Sequence, residues 1–231
     1  MRSQLPRRYS LAIAVLAAAV VFGAATPAAS AKTPAPTVAM AGYKVKSGGA
    51  TSATMSFRVP TLTCPKASSA YVTENLEMGT TTKKASHVDA VSSLIERCLG
   101  KSSAGYLELV SFPTANKDKY LSLTFAAGQT VIVTIDDSST KSSVSVTTKG
   151  KTQRITGPGF VPSETLVGVV VYPAIASQDT KFSAVRFFDV KIDGKSLHRL
   201  TTTKLKARRG SELLAKPTAI RGGRFKVRYV A

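Results

Sequence analysis

The sequence predicts an all-β fold, an antiparallel sandwich of two sheets, and three observations carry that prediction. Apolar side chains recur at every second position in many short segments, as half-buried strands require. Clusters of Gly, Pro, Asn, Asp and Ser separate these segments and supply their turns. Two longer segments, 160–172 and 182–192, are more continuously apolar, which is typical of strands covered on both faces. The alternating positions, in chain order, are Ala53, Met55, Phe57 and Val59; Tyr106, Glu108, Val110 and Phe112; Leu121, Leu123 and Phe125; Val131, Val133 and Ile135; Val144 and Val146; and Phe225, Val227 and Tyr229.

One segment departs from the period of two. Asp89 is a suitable N-cap, and the apolar residues that follow it fall at helical spacing. These residues are Val91, Leu94, Ile95, Cys98 and Leu99. We therefore expect one short helix near residues 90–99.

The composition is that of a folded, strongly basic protein. Of 231 residues, 43% are hydrophobic and 19% are charged, and a chain of this length can bury a core without metal or many disulfides. Lys and Arg number 32 against 13 Asp and Glu, a net charge of +19. The positive net charge excludes an acidic disordered chain, and two Cys are too few for a disulfide-dense miniprotein. The charge bears on partners and solubility rather than on fold.

The N-terminus has the three-part pattern of a secretory signal. Arg2, Arg7 and Arg8 precede an uncharged apolar run over 11–25, and Ala29-Ser30-Ala31 is a small-x-small cleavage site. We expect a signal peptide at 1–31, a flexible leader at 32–40 and a single domain at 41–231. No later apolar run approaches the roughly 20 residues of a membrane span. The protein is expected to be secreted, either extracellular or associated with the cell envelope, and not membrane-spanning.

Export favours a disulfide between Cys64 and Cys98, because oxidising compartments preserve such bonds. A metal pair or a catalytic thiol is the alternative, but there is no Cys-x-x-Cys motif and no His lies near either Cys. His87 and His198 are interpreted as surface residues. We expect neither a bound metal nor a cofactor.

Two carboxyl groups are the fallback candidates for catalysis. Glu74 and Glu108 each occupy an alternating segment with apolar neighbours on the same face. A carboxyl group in such surroundings has a raised pKa and suits acid–base chemistry. The competing interpretation, which we favour, is that each points to the solvent face of a half-buried sheet. The common hydrolase and nucleotide-binding motifs are missing from the sequence.

The order of segments from residue 41 to the C-terminus resembles the eqolisins, or glutamic endopeptidases, a family of secreted acid proteases. The N-terminal motif of that family, Trp-Ala-Gly-Tyr, is similar to Met40-Ala-Gly-Tyr43, and its Thr-Trp-x-Val-Pro strand to Ser56-Phe-Arg-Val-Pro60. The segments 71–74, 106–113 and 128–133 resemble three further family strands. The ending Phe225-Lys-Val-Arg-Tyr229 is similar to the last one. The resemblance implies a concanavalin-like sandwich of two antiparallel sheets.

The resemblance also implies where catalysis would take place. In eqolisins a Gln and a Glu face each other across one sheet, the Glu exchanging a proton with water and the Gln stabilising the oxyanion. The corresponding positions here hold Val91 and Gly168. Neither side chain can do this chemistry, so an inactive member is favoured, a pseudoenzyme. The alternative is an active acid endopeptidase with a displaced catalytic pair.

The positive charge is concentrated at the C-terminus, where residues 195–231 hold eleven Lys and Arg and one acid. Lys226 and Arg228 alternate with apolar residues, so they are predicted to line the outer face of a strand. The candidates for polyanion binding are Lys204, Lys206, Arg208, Arg209, Arg224, Lys226 and Arg228. An anionic cell-envelope polymer or a polypeptide is the expected partner, and the alternative is a solvated surface without a ligand. Nucleic acid is the weaker expectation, because no aromatic residue interleaves these cations before Phe225.

Overall fold

The computed structural model describes residues 39–64, 71–81, 86–99, 104–112, 119–172 and 181–230. The predicted signal peptide and residues 32–38 of the predicted leader lie outside these ranges. Residues 39 and 40 belong to the first strand, so these two residues are part of the fold rather than of the predicted leader.

Eighteen strands and one short 3-10 helix, Leu197–Arg199, make up the described part of the chain. The strands are β1 Ala39–Lys46, β2 Ser52–Arg58, β3 Leu62–Thr63, β4 Tyr71–Thr81, β5 Ser86–Cys98, β6 Ala104–Ser111, β7 Lys119–Leu121, β8 Thr130–Asp137, β9 Lys141–Thr148, β10 Lys151–Pro158, β11 Glu164–Tyr172, β12 Lys181–Phe182, β13 Val185–Ile192, β14 Lys195–Ser196, β15 Thr202–Leu205, β16 Ala207–Arg209, β17 Glu212–Pro217 and β18 Phe225–Tyr229.

These strands form two large antiparallel sheets, which confirms the predicted sandwich. The first sheet has seven strands in the order β15-β1-β11-β4-β5-β6-β7. The second has the order β10-β9-β8-β2-β13-β18-β17-β16, with β14 paired to β13. A small ladder joins β3 to β12. Among the described residues, no helix is long and apolar enough to cross a membrane.

The core lies between the inner faces of the two sheets and follows the alternation in the sequence. In β2, Ala53, Met55 and Phe57 are fully buried. In β8, Val131, Val133 and Ile135 occupy the equivalent positions. Strand β11 is an exception to simple alternation, because Val169, Val170 and Val171 are all buried. This agrees with the prediction of a strand covered on both faces.

The predicted helix near residues 90–99 is wrong, because this segment is the C-terminal part of β5, which pairs with both β4 and β6. Every second residue, Ser92, Leu94, Glu96 and Cys98, lies on the inner face and is buried. Two of these four are polar, so the period of two is invisible when only apolar residues are counted. Hydrogen bonding of β5 to strands on both of its sides therefore outweighs the local helical pattern of this segment.

The predicted disulfide is confirmed. Cys64, which follows β3, is bonded to Cys98 at the end of β5, with the two Cα atoms 5.3 Å apart. The bond ties the short ladder of β3 to the longest strand of the first sheet.

Replacing both Cys64 and Cys98 by Ala should destabilise the fold by about 3–4 kcal/mol, because the bond closes a loop of roughly 35 residues in the unfolded chain. Guanidinium unfolding of oxidised, reduced and doubly substituted protein measures this difference. The reduced wild type is the matched control and should resemble the variant. Equal midpoints for all three samples would contradict a stabilising role.

Candidate functional site

A basic groove lies on the outer face of the second sheet. It is an open depression with a volume of about 730 Å³, and six of its lining residues are cationic. We call this surface, together with its lining residues, the basic groove. Its lining consists of Arg58, Arg186, Phe187, Phe188, Thr218, Ala219, Arg221, Arg224, Phe225, Lys226 and Arg228.

Strand pairing places three of these cations in one row. Arg186 on the central strand β13 lies opposite Arg58 on β2 and opposite Lys226 on β18. Residues directly opposite each other in a sheet point to the same face, and adjacent strands are about 4.8 Å apart. The neighbouring residues Phe57, Phe187 and Phe225 point inward and are buried. Because successive side chains in a strand point to opposite faces, the strands that bury these rings carry the cations on the outer face of the sheet.

A tight turn adds two more cations. Arg221 and Arg224 pair with each other through both backbone hydrogen bonds across Gly222-Gly223. Both glycines have positive φ, 53° and 74°, which a two-residue hairpin turn requires and which side chains disfavour. The turn joins β17 to β18 and brings both arginines to the rim of the groove.

A second cavity, of about 350 Å³, continues the groove towards the other end of β2 and β13. The two cavities share Arg58, Arg186, Lys226 and Arg228. Thr61 and Ser183 lie along the second one, where the Ser183 hydroxyl accepts a hydrogen bond from the Thr61 backbone N–H at 2.9 Å. The groove is thus elongated rather than a single pit.

No carboxylate lines the groove, and none of its six cations forms an ion pair with another described residue. Elsewhere on the same sheet the situation differs: the Arg209 guanidinium contacts Glu212, and Arg154 lies 3.7 Å from Asp136. Like charges directly opposite each other destabilise a sheet. The groove therefore concentrates positive charge, and no described carboxylate forms an ion pair with it.

The structure brings together three of the seven cations predicted from the sequence. Arg224, Lys226 and Arg228 line the groove, and Lys226 and Arg228 lie on the outer face of the last strand as predicted. The remaining four are outside it. Lys204 belongs to β15 of the first sheet, Arg208 and Arg209 belong to β16, and Lys206 lies between these strands.

Sequence reasoning missed Arg58, Arg186 and Arg221. Arg58 ends the alternating strand 52–58, and Arg186 alternates with the apolar Val185 and Phe187. The alternation therefore indicated that both point outward. What it could not indicate is that β2, β13 and β18 are adjacent, because these strands are far apart in the chain.

The interpretation of Glu74 and Glu108 as solvent-facing is wrong. Both are fully buried on the inner face of the first sheet, opposite Leu94 on either side of β5. Glu96, two residues further along β5, is fully buried too and was not among the candidates. Ser92 donates a hydrogen bond of 2.5 Å to Glu108 Oε1, whereas the carboxyl oxygens of Glu74 and Glu96 have no such partner.

Burial controls the ionisation of this cluster. Burial raises the pKa of Glu74 to about 8, and the nearby Glu96 side chain only partly opposes the shift. Burial likewise raises the pKa of Glu108 to about 8 against a smaller effect of the Ser92 hydrogen bond. Burial and the adjacent Glu74 raise the pKa of Glu96 well above its usual value. These carboxyl groups are consequently neutral in the folded protein at acidic pH, and they cannot reach a substrate.

The folded protein should be most stable in acid. A carboxyl group with a folded pKa near 8 and an ordinary unfolded pKa near 4.5 holds its proton only in the folded state between these values. Unfolding then releases protons, so stability falls as pH rises from about 4.5 to 8. Thermal unfolding from pH 4 to pH 8 measures the decline, and Glu74→Gln or Glu108→Gln should flatten it. Asp189→Asn, at an exposed position, is the control; a melting temperature constant across this range would contradict the account.

A different polar pair occupies the outer face of the first sheet. The Asn75 amide donates a hydrogen bond of 2.8 Å to Glu77 Oε1, and Asn75 Oδ1 has no partner. Burial raises the pKa of Glu77, the Asn75 hydrogen bond partly lowers it, and the nearby Glu164 raises it further. Neither residue is among the candidates predicted from the sequence.

This pair lies between the two positions where the eqolisin resemblance places catalytic residues. Gly168 on β11 is directly opposite Asn75, and Val91 on β5 is directly opposite Glu77. Gly168 has no room for a side chain, because a Cβ atom there would lie 2.3 Å from the carbonyl oxygen of Ala41. Close approach of β1 thus explains the absence of a side chain at this position.

The remaining candidates contribute no further site. His198 is exposed, as interpreted, and its Nδ1 lies 2.9 Å from the Ser196 hydroxyl. The side chain of His87 lies outside the described residues. Among the residues that are described, no group of three or more His, Cys, Asp or Glu side chains is arranged to hold a metal ion.

Comparison with solved structures relates the fold to that of a peptidase. The chain is similar to scytalido-glutamic peptidase bound to a transition state analog inhibitor, with a TM-score of 0.65 and 13% identity over 84% of this chain and 99% of that one. A second structure of that enzyme, with a peptide-based transition state analog, gives 0.61 and 15% over the same shares. No protein-family model and no curated protein matches the sequence. The chain therefore has an eqolisin-like β-sandwich fold.

Proposed function

We propose that this protein is an exported, eqolisin-like β-sandwich without peptidase activity that binds an anionic cell-envelope polymer or an anionic polypeptide. The observation that carries the proposal is the basic groove, in which six cations and no carboxylate line two adjoining cavities. A sequence pattern typical of a signal peptide at residues 1–31 supports export. The Cys64–Cys98 disulfide, a bond that oxidising compartments preserve, supports it independently.

The arrangement of the groove favours an extended ligand over a single small anion. Arg58, Arg186 and Lys226 run across three strands, a span of roughly 10 Å at the usual strand spacing. Arg228 continues along β18, and Arg221 and Arg224 stand at the rim. A polymer with regularly spaced negative charges can contact several of these cations at once, which adds their separate attractions.

Neutralising the row should weaken binding far more than removing the same charge elsewhere. Arg58→Gln with Arg186→Gln is expected to lower affinity for heparin about tenfold or more at 0.1 M salt, because two adjacent groove cations are lost. The control is Lys204→Gln with Arg208→Gln, an equal change in net charge at exposed positions outside the groove. Isothermal titration calorimetry at increasing salt measures both; wild-type affinity should fall as salt rises. Equal losses in the two variants, or salt-insensitive binding, would contradict the proposal.

A second candidate function is acid endopeptidase activity from a displaced pair, and the Asn75–Glu77 contact is the specific observation that favours it. An amide and a carboxyl group lie 2.8 Å apart on the face of the sheet where the eqolisin resemblance places catalysis. The ionised Glu77 carboxylate would take a proton from the water that attacks the peptide carbonyl carbon and would return this proton to the amine as the C–N bond breaks. The Asn75 amide would hold that carboxylate in place. Against this function, both residues are on one strand, and Asn75 is only 4% exposed.

Incubation with denatured casein at pH 3, 5 and 7 separates the two candidates, because burial raises the pKa of Glu77 and its carboxyl group is protonated in strong acid. Under the binding proposal we expect no cleavage above the level of heat-inactivated protein. Cleavage that is lost in Glu77→Gln and kept in Glu212→Gln, an exposed control, would establish the second function instead. The fallback candidates are tested in the same assay with Glu74→Gln and Glu108→Gln, which we expect to change stability rather than cleavage, because both carboxyl groups are inaccessible.

A further inference from the structure

Phe188 is an aromatic side chain placed among the cations of the basic groove. It lies two residues after Arg186 on β13, so it faces outward with Arg186, and it is half-buried. The other two aromatic residues of the lining differ. Phe187 and Phe225 point inward, are 1% and 3% exposed, and stack on each other in the core with ring centroids 4.7 Å apart, so neither ring is presented to the groove.

A β-bulge begins directly after Phe188. The pairing of β13 with β2 shifts between Phe188 and Lys191, and Asp189 within the shift has φ of 52°. Bulges bend a strand, re-aim side chains and are frequent beside binding sites. The bulge here ends the regular outward row at Phe188, next to the row of Arg186, Arg58 and Lys226.

The groove also offers neutral hydrogen-bonding groups. Thr218 lies at one end, where its hydroxyl accepts a hydrogen bond from the Lys226 backbone N–H at 3.0 Å. Thr61 and Ser183 lie at the other end. The lining as a whole therefore combines guanidinium groups, hydroxyl groups and one accessible aromatic ring.

We propose that the ligand of the basic groove is an anionic glycan, with one sugar ring packed on Phe188 and its carboxylate, sulfate or phosphate groups on Arg58, Arg186 and Lys226. This inference rests on the binding function proposed above and names its substrate class. A pyranose ring has an apolar face of C–H groups that an aromatic ring can cover, and polar edges that hydroxyl groups can bind. Charged substituents next to that ring would reach the adjacent cations.

Two other polyanions fit the lining less well. Single-stranded nucleic acid is held by successive bases stacked on several aromatic rings, whereas Phe188 is the one accessible ring in this lining. Linear polyphosphate has no ring to place on Phe188 and would use the cations alone. These two polymers therefore serve as comparison ligands.

The experiment measures the affinity of the full mature protein for a heparin octasaccharide, a galacturonate octamer, linear polyphosphate and single-stranded DNA of similar charge. Phe188→Ala should weaken binding of at least one of the two glycans about fivefold to tenfold, the size expected for one lost ring contact. Binding of polyphosphate should change less than twofold. Tyr120→Ala, an exposed aromatic position on β7 of the first sheet, is the control and should change neither. The melting temperature of each variant shows whether it is folded.

The variants distinguish the glycan inference from the binding function on which it rests. If Phe188→Ala leaves both glycans unaffected while Arg58→Gln with Arg186→Gln weakens every polymer, the glycan inference is overturned and the binding function stands. If the arginine variant weakens nothing, the binding function itself fails. Tightest binding of single-stranded DNA, reduced by Phe188→Ala, would also overturn the glycan assignment.

Discussion

The packing of Phe57, Phe187 and Phe225 between the two sheets is the constraint on which the basic groove depends. The rings of Phe57 and Phe187 lie 6.0 Å apart, and Phe187 stacks on Phe225, which also contacts Tyr43 of the first sheet edge-to-face. Together they fix the register of β2, β13 and β18. Because side chains alternate in a strand, a slip of one residue would turn the aromatic rings outward and bury the arginines. The same contacts that hold the core together therefore hold the cations in a row.

The second sheet exposes cations on its outer face, whereas the first sheet buries carboxyl groups on its inner face. The second sheet leaves unpaired cations on its outer face, where water solvates them and an anion can displace that water. The first sheet keeps three carboxyl groups on its inner face, where burial favours their neutral form. Acidic conditions therefore leave the cations charged and keep the buried carboxyl groups protonated, so that no buried negative charge destabilises the fold. A basic surface and an acid-tolerant core are compatible in this fold, although they lie on different sheets.

Much of the architecture was predictable from the sequence, because alternation is a local signal. The strands at 52–58, 130–137 and 225–229 and the outward direction of Lys226 and Arg228 follow from it. The disulfide follows instead from the two Cys and the expected export. Strand β5 was misread as a helix because Ser92 and Glu96 fill interior positions that are ordinarily apolar. The groove itself was only partly predictable. Arg58 joins Arg186 through pairing of strands over a hundred residues apart in the chain, and a second pairing between non-consecutive strands adds Lys226. The close contact of Gly168 with Ala41 likewise depends on which strands are neighbours.

A two-dimensional NMR titration with a heparin oligosaccharide tests whether ligand binding uses the outer face of the second sheet. We expect chemical shift changes to concentrate on backbone amides of β2, β13 and β18 and on the Arg221–Arg224 turn. Changes centred on β4 and β11, around Asn75, Glu77 and Gly168, would place the functional site on the first sheet and contradict the account. Changes spread evenly over Lys204, Lys206 and Arg208 as well would show that net charge, rather than the groove, attracts the ligand.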